Sequence, residues 1–221
     1  MNKSNKSALL IIIVAALGYF VDIYDLILFS IIRKKSLMSI GIPESACLEN
    51  GEHLISMQMY GMLLGGILWG ILGDKKGRLS VLFGSIVMYS IANIANGFIQ
   101  TVEEYAIWRF IAGVGLAGEL GAGITLVSES MSKEKRGYGT MAIVSFGVLG
   151  GVMAAMVGSS VDWRMAYYIG GGMGLVLLLL RVGVFESGMY KSVRTKDVSR
   201  GNFFMLFNNK KRFYKYLQCI T

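Results

Sequence analysis

Apolar residues occur in six long runs that are separated by short polar segments. A helix needs about 20 apolar residues to cross the hydrocarbon core of a bilayer, and each run is long enough to do so. The pattern therefore predicts an all-α membrane protein in which residues 1–186 form a bundle of six transmembrane helices. The predicted spans are Ala8–Ile32, Leu54–Gly73, Leu79–Gln100, Tyr105–Ser128, Gly139–Gly158 and Met165–Phe185.

The composition agrees with a membrane protein and excludes an ordinary soluble domain. Hydrophobic residues make up 54% of the 221 residues and charged residues only 16%, and the mean hydropathy is +0.55. The 29 glycines are typical of membrane helices that pack closely. A net charge of +8 would also suit nucleic-acid binding. Here, however, the cations lie in short loops and in the C-terminal tail, so we expect no nucleic-acid partner.

The distribution of Lys and Arg predicts the topology. If the N-terminus is cytoplasmic, the cytoplasmic segments hold 16 of the 22 cations. Cations concentrate on the cytoplasmic side of membrane proteins. We therefore expect a multi-pass protein of the cell (inner or plasma) membrane with both termini in the cytoplasm. The predicted outer segments hold Arg33, Lys34, Lys35 and Arg164.

The prediction includes two longer segments outside the spans: an outer loop and a basic C-terminal segment. We expect Arg33, Lys34 and Lys35 in a long outer loop. This loop also carries Glu44, Glu49 and Glu52. Residues 187–221 are basic and end as apolar residues return. We interpret them as a cytoplasmic central loop that leads into the start of a truncated seventh span.

Four ionisable residues lie well inside the predicted spans: Asp22, Asp25, Arg109 and Glu119. Each costs several kcal/mol unless it is paired or faces water, so each is a functional candidate. Asp22 and Asp25 are three residues apart and share one helical face. At about 1.5 Å per residue, both lie at a depth similar to that of Arg109, which predicts an Asp–Arg pair between the first and fourth spans.

Two interpretations of these charges remain open. In the functional one, Asp22, Asp25 and Arg109 form a proton or substrate site. Asp25 would be the leading proton carrier, Asp22 its coupled partner and Arg109 the modulator or anion contact. In the structural one, they form a static ion pair. Two adjacent carboxylates are more than one guanidinium needs, which favours the first. Glu119 either lines the same cavity or packs on another span.

The segment Gly113–Gly118 matches the pattern G-x-G-x-x-G, which occurs in dinucleotide-binding domains. That function requires a preceding strand in a βαβ unit, whereas these glycines lie within an apolar span. We interpret them as a face for close helix packing. The sequence contains no Walker A motif either. We therefore expect no ATP-driven pump, no enzyme activity, no cofactor and no metal site.

Several motifs carry a family resemblance. The string from Gly70 to Arg78 resembles G-x-x-x-D-x-x-G-R, the loop between the second and third spans of major facilitator transporters. Arg109 followed by Gly113 and Gly115 is similar to the fourth-span motif of that family. Segments after the fourth and sixth spans are similar to its sugar porters, and Asp22-Ile-Tyr-Asp25 resembles an element of its metabolite:proton symporters. The resemblance implies an inner-face gating network formed by Gly70, Asp74, Gly77, Arg78, Glu129, Arg136 and Glu186, unless these charges are merely solvated.

The resemblance implies a secondary active transporter, a proton-coupled symporter of a small organic solute or anion. Its partners would be that solute, protons and the lipid bilayer. Members of this family usually have twelve spans in two halves, and this chain corresponds to the N-terminal half. We expect that it does not transport alone, since alternating access needs two repeats. A single half would supply one wall of the cavity and leave Asp22, Asp25 and Arg109 facing nothing. The partner would be a missing C-terminal half or a second copy of the chain. The alternatives are an inactive truncated product and a membrane scaffold.

Overall fold

A computed structural model describes the backbone of residues 3–130 and 136–186, with side chains for 12–77, 80–119 and 137–182. The described chain is helical and contains six long helices. They are α1 (Lys3–Ser39), α2 (Cys47–Lys76), α3 (Arg78–Asn96), α4 (Val102–Ser130), α5 (Arg136–Ser160) and α6 (Trp163–Glu186). A single 3₁₀ turn, Glu44–Ala46, precedes α2. The predicted all-α architecture of six helices is confirmed. The predicted tail, residues 187–221, lies outside the described residues.

The third predicted span is wrong at its C-terminal end, because α3 stops at Asn96 rather than at Gln100. Side chains of α6 donate hydrogen bonds to the backbone carbonyls that follow α3. The Arg164 guanidinium donates hydrogen bonds to the carbonyls of Gly97, at 2.8 Å, and Ile99, at 3.2 Å. The Tyr168 hydroxyl also donates to Gly97, at 3.0 Å. Its ring packs so closely on Gly97 that no side chain would fit. The apolar run continues past α3, but tertiary contacts end the helix.

The expected long outer loop is also corrected. Arg33, Lys34 and Lys35 belong to α1, which continues to Ser39. Glu49 and Glu52 belong to α2. The connection between these two helices is therefore short, and an exposed ion pair between Lys34 and Glu44 spans it. The extra helical turns agree with the good helix propensity of Lys and Arg.

Local sequence explains where several helices begin and end. Gly77 separates α2 from α3 as a single residue with a φ of 93°, a conformation that favours glycine. At the start of α4, the Thr101 hydroxyl accepts a hydrogen bond from the backbone N–H of Glu104 at 3.2 Å. The Glu104 carboxylate reaches back to the N–H of Gln100 at 2.9 Å. This reciprocal arrangement resembles a capping box.

Helices α1 and α4 occupy the centre of the bundle. Helix α1 packs against α2, α4, α5 and α6, and α4 packs against α1, α2, α3 and α5. Glycines allow the closest approaches. A side chain at Gly61 of α2 would overlap the backbone of Phe110, and one at Gly113 of α4 would overlap the backbone of Gln58. The interpretation of the α4 glycines as a packing face agrees with these contacts.

The outer surface of the bundle is apolar. Large hydrophobic side chains follow one another along the exposed face of α2: Met59, Tyr60, Leu63, Leu64, Ile67 and Leu68. A soluble monomer rarely exposes such a continuous patch. Among the described residues, α1, α2, α5 and α6 are long and apolar enough to cross a membrane, and α3 contributes a shorter apolar stretch, Ser80–Asn96. The exterior thus suits contact with lipid or with further membrane helices.

Replacement of Gly61 by alanine is expected to destabilise the bundle. The added methyl group would overlap the Phe110 carbonyl, so α2 and α4 would have to separate. Overpacking of this kind typically costs about 1–3 kcal/mol. The matched control is Gly66→Ala on the same helix, where no atom lies within 4 Å of the new methyl group. Thermal unfolding in detergent, followed by circular dichroism, should show a lower Tm for Gly61→Ala only. Equal melting temperatures would contradict this packing.

Candidate functional site

A buried ion pair joins the two central helices. Two nitrogens of the Arg109 guanidinium on α4 face the two carboxylate oxygens of Asp25 on α1, at 3.3 and 3.4 Å. Arg109 is 0% exposed and Asp25 is 1% exposed. The structure therefore contains the Asp–Arg pair that residue depth predicted between the first and fourth spans. A two-pronged contact of this kind fixes both the distance and the orientation of its partners.

Other helices hold this pair in place. The Asn93 side chain of α3 accepts a hydrogen bond from Arg109 at 3.0 Å. The Gln58 amide of α2 donates to Asp25 at 3.3 Å. The rings of Phe29 and Tyr167 lie 5.1 and 5.0 Å from the centre of the guanidinium, as in cation–π contacts. Five helices thus contribute to one polar centre.

An aromatic group extends from this centre toward the start of α6. The hydroxyl groups of Tyr105 and Tyr167 are hydrogen-bonded to each other. Tyr105 also shares a hydrogen bond of 3.2 Å with Ser36. The Trp163 ring lies 6.2 Å from the Tyr167 ring and 6.5 Å from the Tyr105 ring. The rings exclude water from one side of Arg109, which strengthens its electrostatic contacts.

A second buried ion pair links α4 to α6. Two nitrogens of Arg181 donate to the two carboxylate oxygens of Glu119, at 2.7 and 2.6 Å. The Ser85 hydroxyl of α3 donates to the same carboxylate at 2.8 Å. Arg181 also donates to the Leu82 carbonyl at 3.0 Å. Of the two interpretations left open for Glu119, the structure favours packing on another helix.

Sequence analysis missed the role of Arg181. The residue lies inside the predicted span Met165–Phe185, yet it was not among the ionisable residues singled out as functional candidates. It is 1% exposed. Two signals were available: an ionisable residue within an apolar run, and Glu119 on α4 without an assigned cation. Both indicate a buried partner, because a lone charge inside a membrane is costly.

Asp22 lies on α1 between the two ion pairs. It is one turn from Asp25, which contacts Arg109. In the other direction it is four residues from Gly18, where an added methyl group would lie 2.6 Å from Arg181 and 3.1 Å from Glu119. Asp22 is 3% exposed. Within the described part of the chain, neither of its carboxylate oxygens has a hydrogen-bond partner.

The central charges lie inside the bundle itself. From the sequence, we expected Asp22, Asp25 and Arg109 of an isolated half to face an uncovered cavity. That expectation is wrong for this conformation, because all three side chains are buried between helices. The six helices supply their own partners for Asp25 and Arg109, so no second half is needed to shield these two charges.

The residues of the expected inner-face motif are only partly described. Gly70 and Asp74 lie on α2, both exposed, and Gly77 forms the turn before α3. Arg78 begins α3, Glu129 lies in α4, Arg136 begins α5 and Glu186 ends α6. The side chains of these last four residues lie outside the described set. The gating network therefore stays a prediction.

Comparison with known proteins decides the family. The model of the Major Facilitator Superfamily matches residues 7–208. The chain belongs to this superfamily. It is similar to a putative niacin/nicotinamide transporter of Bacillus subtilis, with 30% identity over 84% of this chain and 46% of the relative. It is also similar to a benzoate transport protein of Acinetobacter baylyi, with 29% identity over 88% of this chain and 43% of the relative.

Solved structures show the same fold. The proton:xylose symporter XylE, bound to a bromodeoxyglucose, has a TM-score of 0.69 and 20% identity. The alignment covers 81% of this chain and 45% of that one. A partially occluded, inward-open form of the E. coli xylose transporter has a TM-score of 0.68 and 19% identity, over 97% and 54% of the two chains. The chain spans about half the length of these superfamily members, and it corresponds to their N-terminal half. The superfamily consists of membrane transporters, so the chain is a multi-pass membrane protein and not an enzyme.

The Asp25–Arg109 pair is expected to act as one energetic unit in this superfamily fold. Removing one partner, as in Asp25→Asn or Arg109→Gln, leaves the other buried and uncompensated, which costs up to about 3–5 kcal/mol. The double variant should cost clearly less than the sum of the two single changes. Unfolding by SDS titration gives the four free energies that the comparison needs.

The exposed pair Lys34–Glu44 offers a matched control. Its double-mutant cycle, with Lys34→Gln and Glu44→Gln, should show little coupling, because solvated ion pairs contribute little to stability. Strict additivity at Asp25 and Arg109 would mean that the buried contact does not stabilise the bundle.

Proposed function

We propose that the chain is one six-helix half of a proton-coupled symporter for a small organic solute or anion. The observation that carries this proposal is the buried Asp22, Asp25 and Arg109 group at the contact of α1 and α4. Acidic residues inside a membrane bundle are typical of proton pathways. Residues of this kind on the two central helices would couple protonation to helix movement.

The substrate class follows from the relatives. Two of them are named for niacin/nicotinamide and benzoate transport. Niacin and benzoate are small aromatic carboxylates, so we propose a compound of this class as the solute. Arg109 would act through Asp25 rather than bind the solute directly in this conformation, since its guanidinium is wholly buried and surrounded by Asp25, Asn93, Phe29 and Tyr167.

Asp25 is proposed as the leading proton carrier and Asp22 as its coupled partner. When Asp25 is ionised, Arg109 holds α1 and α4 together through two contacts. A proton on Asp25 would remove the charge that Arg109 recognises and would loosen this connection. The competing interpretation, a purely static ion pair, predicts that Asp25 affects folding but not the coupling to protons.

Asp25→Asn in a full-length transporter that carries these six helices is expected to abolish uptake driven by a pH gradient. Asparagine cannot carry the proton, while its size leaves solute exchange intact. Reconstituted liposomes allow both quantities to be measured, with nicotinate and benzoate as test solutes. Glu52→Gln, an exposed change on α2, is the matched control and should retain both activities. Unchanged pH-driven uptake in Asp25→Asn would refute the assignment.

A second proposal concerns the inner-face motif of Gly70, Asp74, Gly77, Arg78, Glu129, Arg136 and Glu186. We propose that both termini are cytoplasmic and that these residues close the cytoplasmic side of the outward-open state. The turn at Gly77 supports it, because this turn joins α2 directly to α3 at the end of the bundle where the motif lies. The competing interpretation is that the charges are merely solvated and contribute little.

Asp74→Asn is expected to shift the transporter toward its inward-open state, since the closed cytoplasmic side would lose one charge. The accessibility of single cysteines to membrane-impermeant reagents, measured from each side of the full-length protein, reports this shift. Lys75→Gln, the exposed neighbour, is the control. Identical labelling of Asp74→Asn and the parent protein from both sides would count against the gate.

The complete transporter needs a second half. The exposed apolar faces of α2 and α5 support this proposal, because they are the least buried of the four long apolar helices. We propose that a C-terminal half or a second copy of this chain covers part of these faces. Lipid would cover the remainder.

A further inference from the structure

Among the side chains that the structure describes, the interior of the bundle contains one more acid than base. Three carboxylates and two guanidiniums are each less than 5% exposed: Asp22, Asp25, Glu119, Arg109 and Arg181. Arg109 is occupied by Asp25, and Arg181 is occupied by Glu119. The third acid, Asp22, is left without a hydrogen-bond partner among the described residues.

Within the described part of the chain, the surroundings of Asp22 offer no free cation to compensate an ionised carboxylate. The charges of Glu119, Arg181 and Asp25 all act on it, and the Tyr89 phenol of α3 lies within electrostatic reach. Gln58 of α2 already donates a hydrogen bond to Asp25. The sequence of α5 between Gly137 and Ser160 contains no charged residue. An ionised carboxylate without a partner in such surroundings is strongly disfavoured, and a neutral one is much less costly.

We infer that Asp22 carries a proton in this conformation, and that Glu119 keeps the proton there by occupying Arg181. The inference rests on the proposed function only in identifying this proton with the coupled one. Asp22 would then hold the proton at rest, one turn from Asp25, and would pass it to Asp25 when Arg109 releases that carboxylate.

The geometry explains why Glu119 is a positioning residue for this proton. It accepts hydrogen bonds from both terminal nitrogens of Arg181 and from the hydroxyl of Ser85. Gly18 lets α1 lie directly against the Glu119–Arg181 pair, which places Asp22 one turn farther along the same face of α1. The Nε–H group of Arg181 has no partner among the described residues. Asp22 is therefore the next acid available to Arg181 whenever Glu119 loses its charge.

The balance between buried acids and buried guanidiniums makes the protonation of Asp22 depend on Glu119, a residue of another helix. In Glu119→Gln, two acids remain for two guanidiniums, so Asp22 would ionise and pair with Arg181. The proton would be lost although Asp22 itself is unchanged. In Arg181→Gln, three acids remain for one guanidinium, so two of them would be protonated. A merely structural role for Glu119 would change stability in both variants without changing the number of protonated acids.

Infrared spectroscopy of the purified chain in dodecyl maltoside, a detergent without ester carbonyls, measures this number. The carbonyl stretch of a protonated carboxylic acid is separate from that of a carboxylate and shifts in heavy water. At neutral pH we expect one such band in the parent chain, loss of the band in Asp22→Asn and in Glu119→Gln, and about twice the intensity in Arg181→Gln. Glu52→Gln, an exposed acid, should leave the band unchanged.

Each contrary result overturns a defined part of the inference. A band that persists in Asp22→Asn would place the proton elsewhere, and no band in the parent chain would mean that Asp22 is ionised. A band that persists in Glu119→Gln would remove the role of Glu119. If that variant does not fold, the double variant Glu119→Gln/Arg181→Gln tests the charge balance instead. It leaves two acids for Arg109 alone and should keep a single band, whereas loss of that band contradicts the charge balance.

The outcome is independent of the transport assay. If the bands behave as expected but the full-length transporter shows no uptake driven by a pH gradient, the proposed coupling fails and the protonation of Asp22 stands. If uptake depends on the gradient and Asp25 but the band is absent, the coupling stands and this inference fails.

Discussion

A guanidinium buried inside a membrane bundle has to find all of its partners within the protein, because lipid offers none. The terminal nitrogens of Arg109 meet this requirement with a carboxylate from α1 and an amide from α3, and aromatic rings from α1 and α6 cover the guanidinium. Its Nε–H group has no hydrogen-bond partner among the described residues. These contacts position α1 and α4 against each other at the centre of the fold. The glycines of α2 and α4 then bring the neighbouring helix close enough for Gln58 to reach Asp25.

The same requirement explains the inverted distribution of polarity. Four polar side chains along α3 are buried, whereas the exposed faces of α2 and α5 are apolar; the four are Ser85, Ser90, Asn93 and Asn96. In a soluble helix the polar face would be turned toward water. Here it is turned inward, toward Arg109 and Glu119.

Run lengths and charge positions predicted much of this structure. The fold, the placement of five of the six spans within single helices, and the pairing of α1 with α4 follow from hydropathy and from residue depth. The sequence could not show that Arg164 and Tyr168 end α3 early, because those contacts join residues about 70 positions apart. Nor could it decide which of Asp22 and Asp25 meets Arg109, since both lie on one face of α1.

The aromatic group beside the central ion pair gives the protein a built-in optical reporter. The chain has three tryptophans, and Trp163 packs edge-on against Tyr167, whose ring covers Arg109. Indole emission depends on nearby charges and on access to water. A displacement of the Arg109 guanidinium would reach the indole through a single intervening ring. A change in the central ion pair would therefore alter the intrinsic fluorescence of Trp163, without any attached dye.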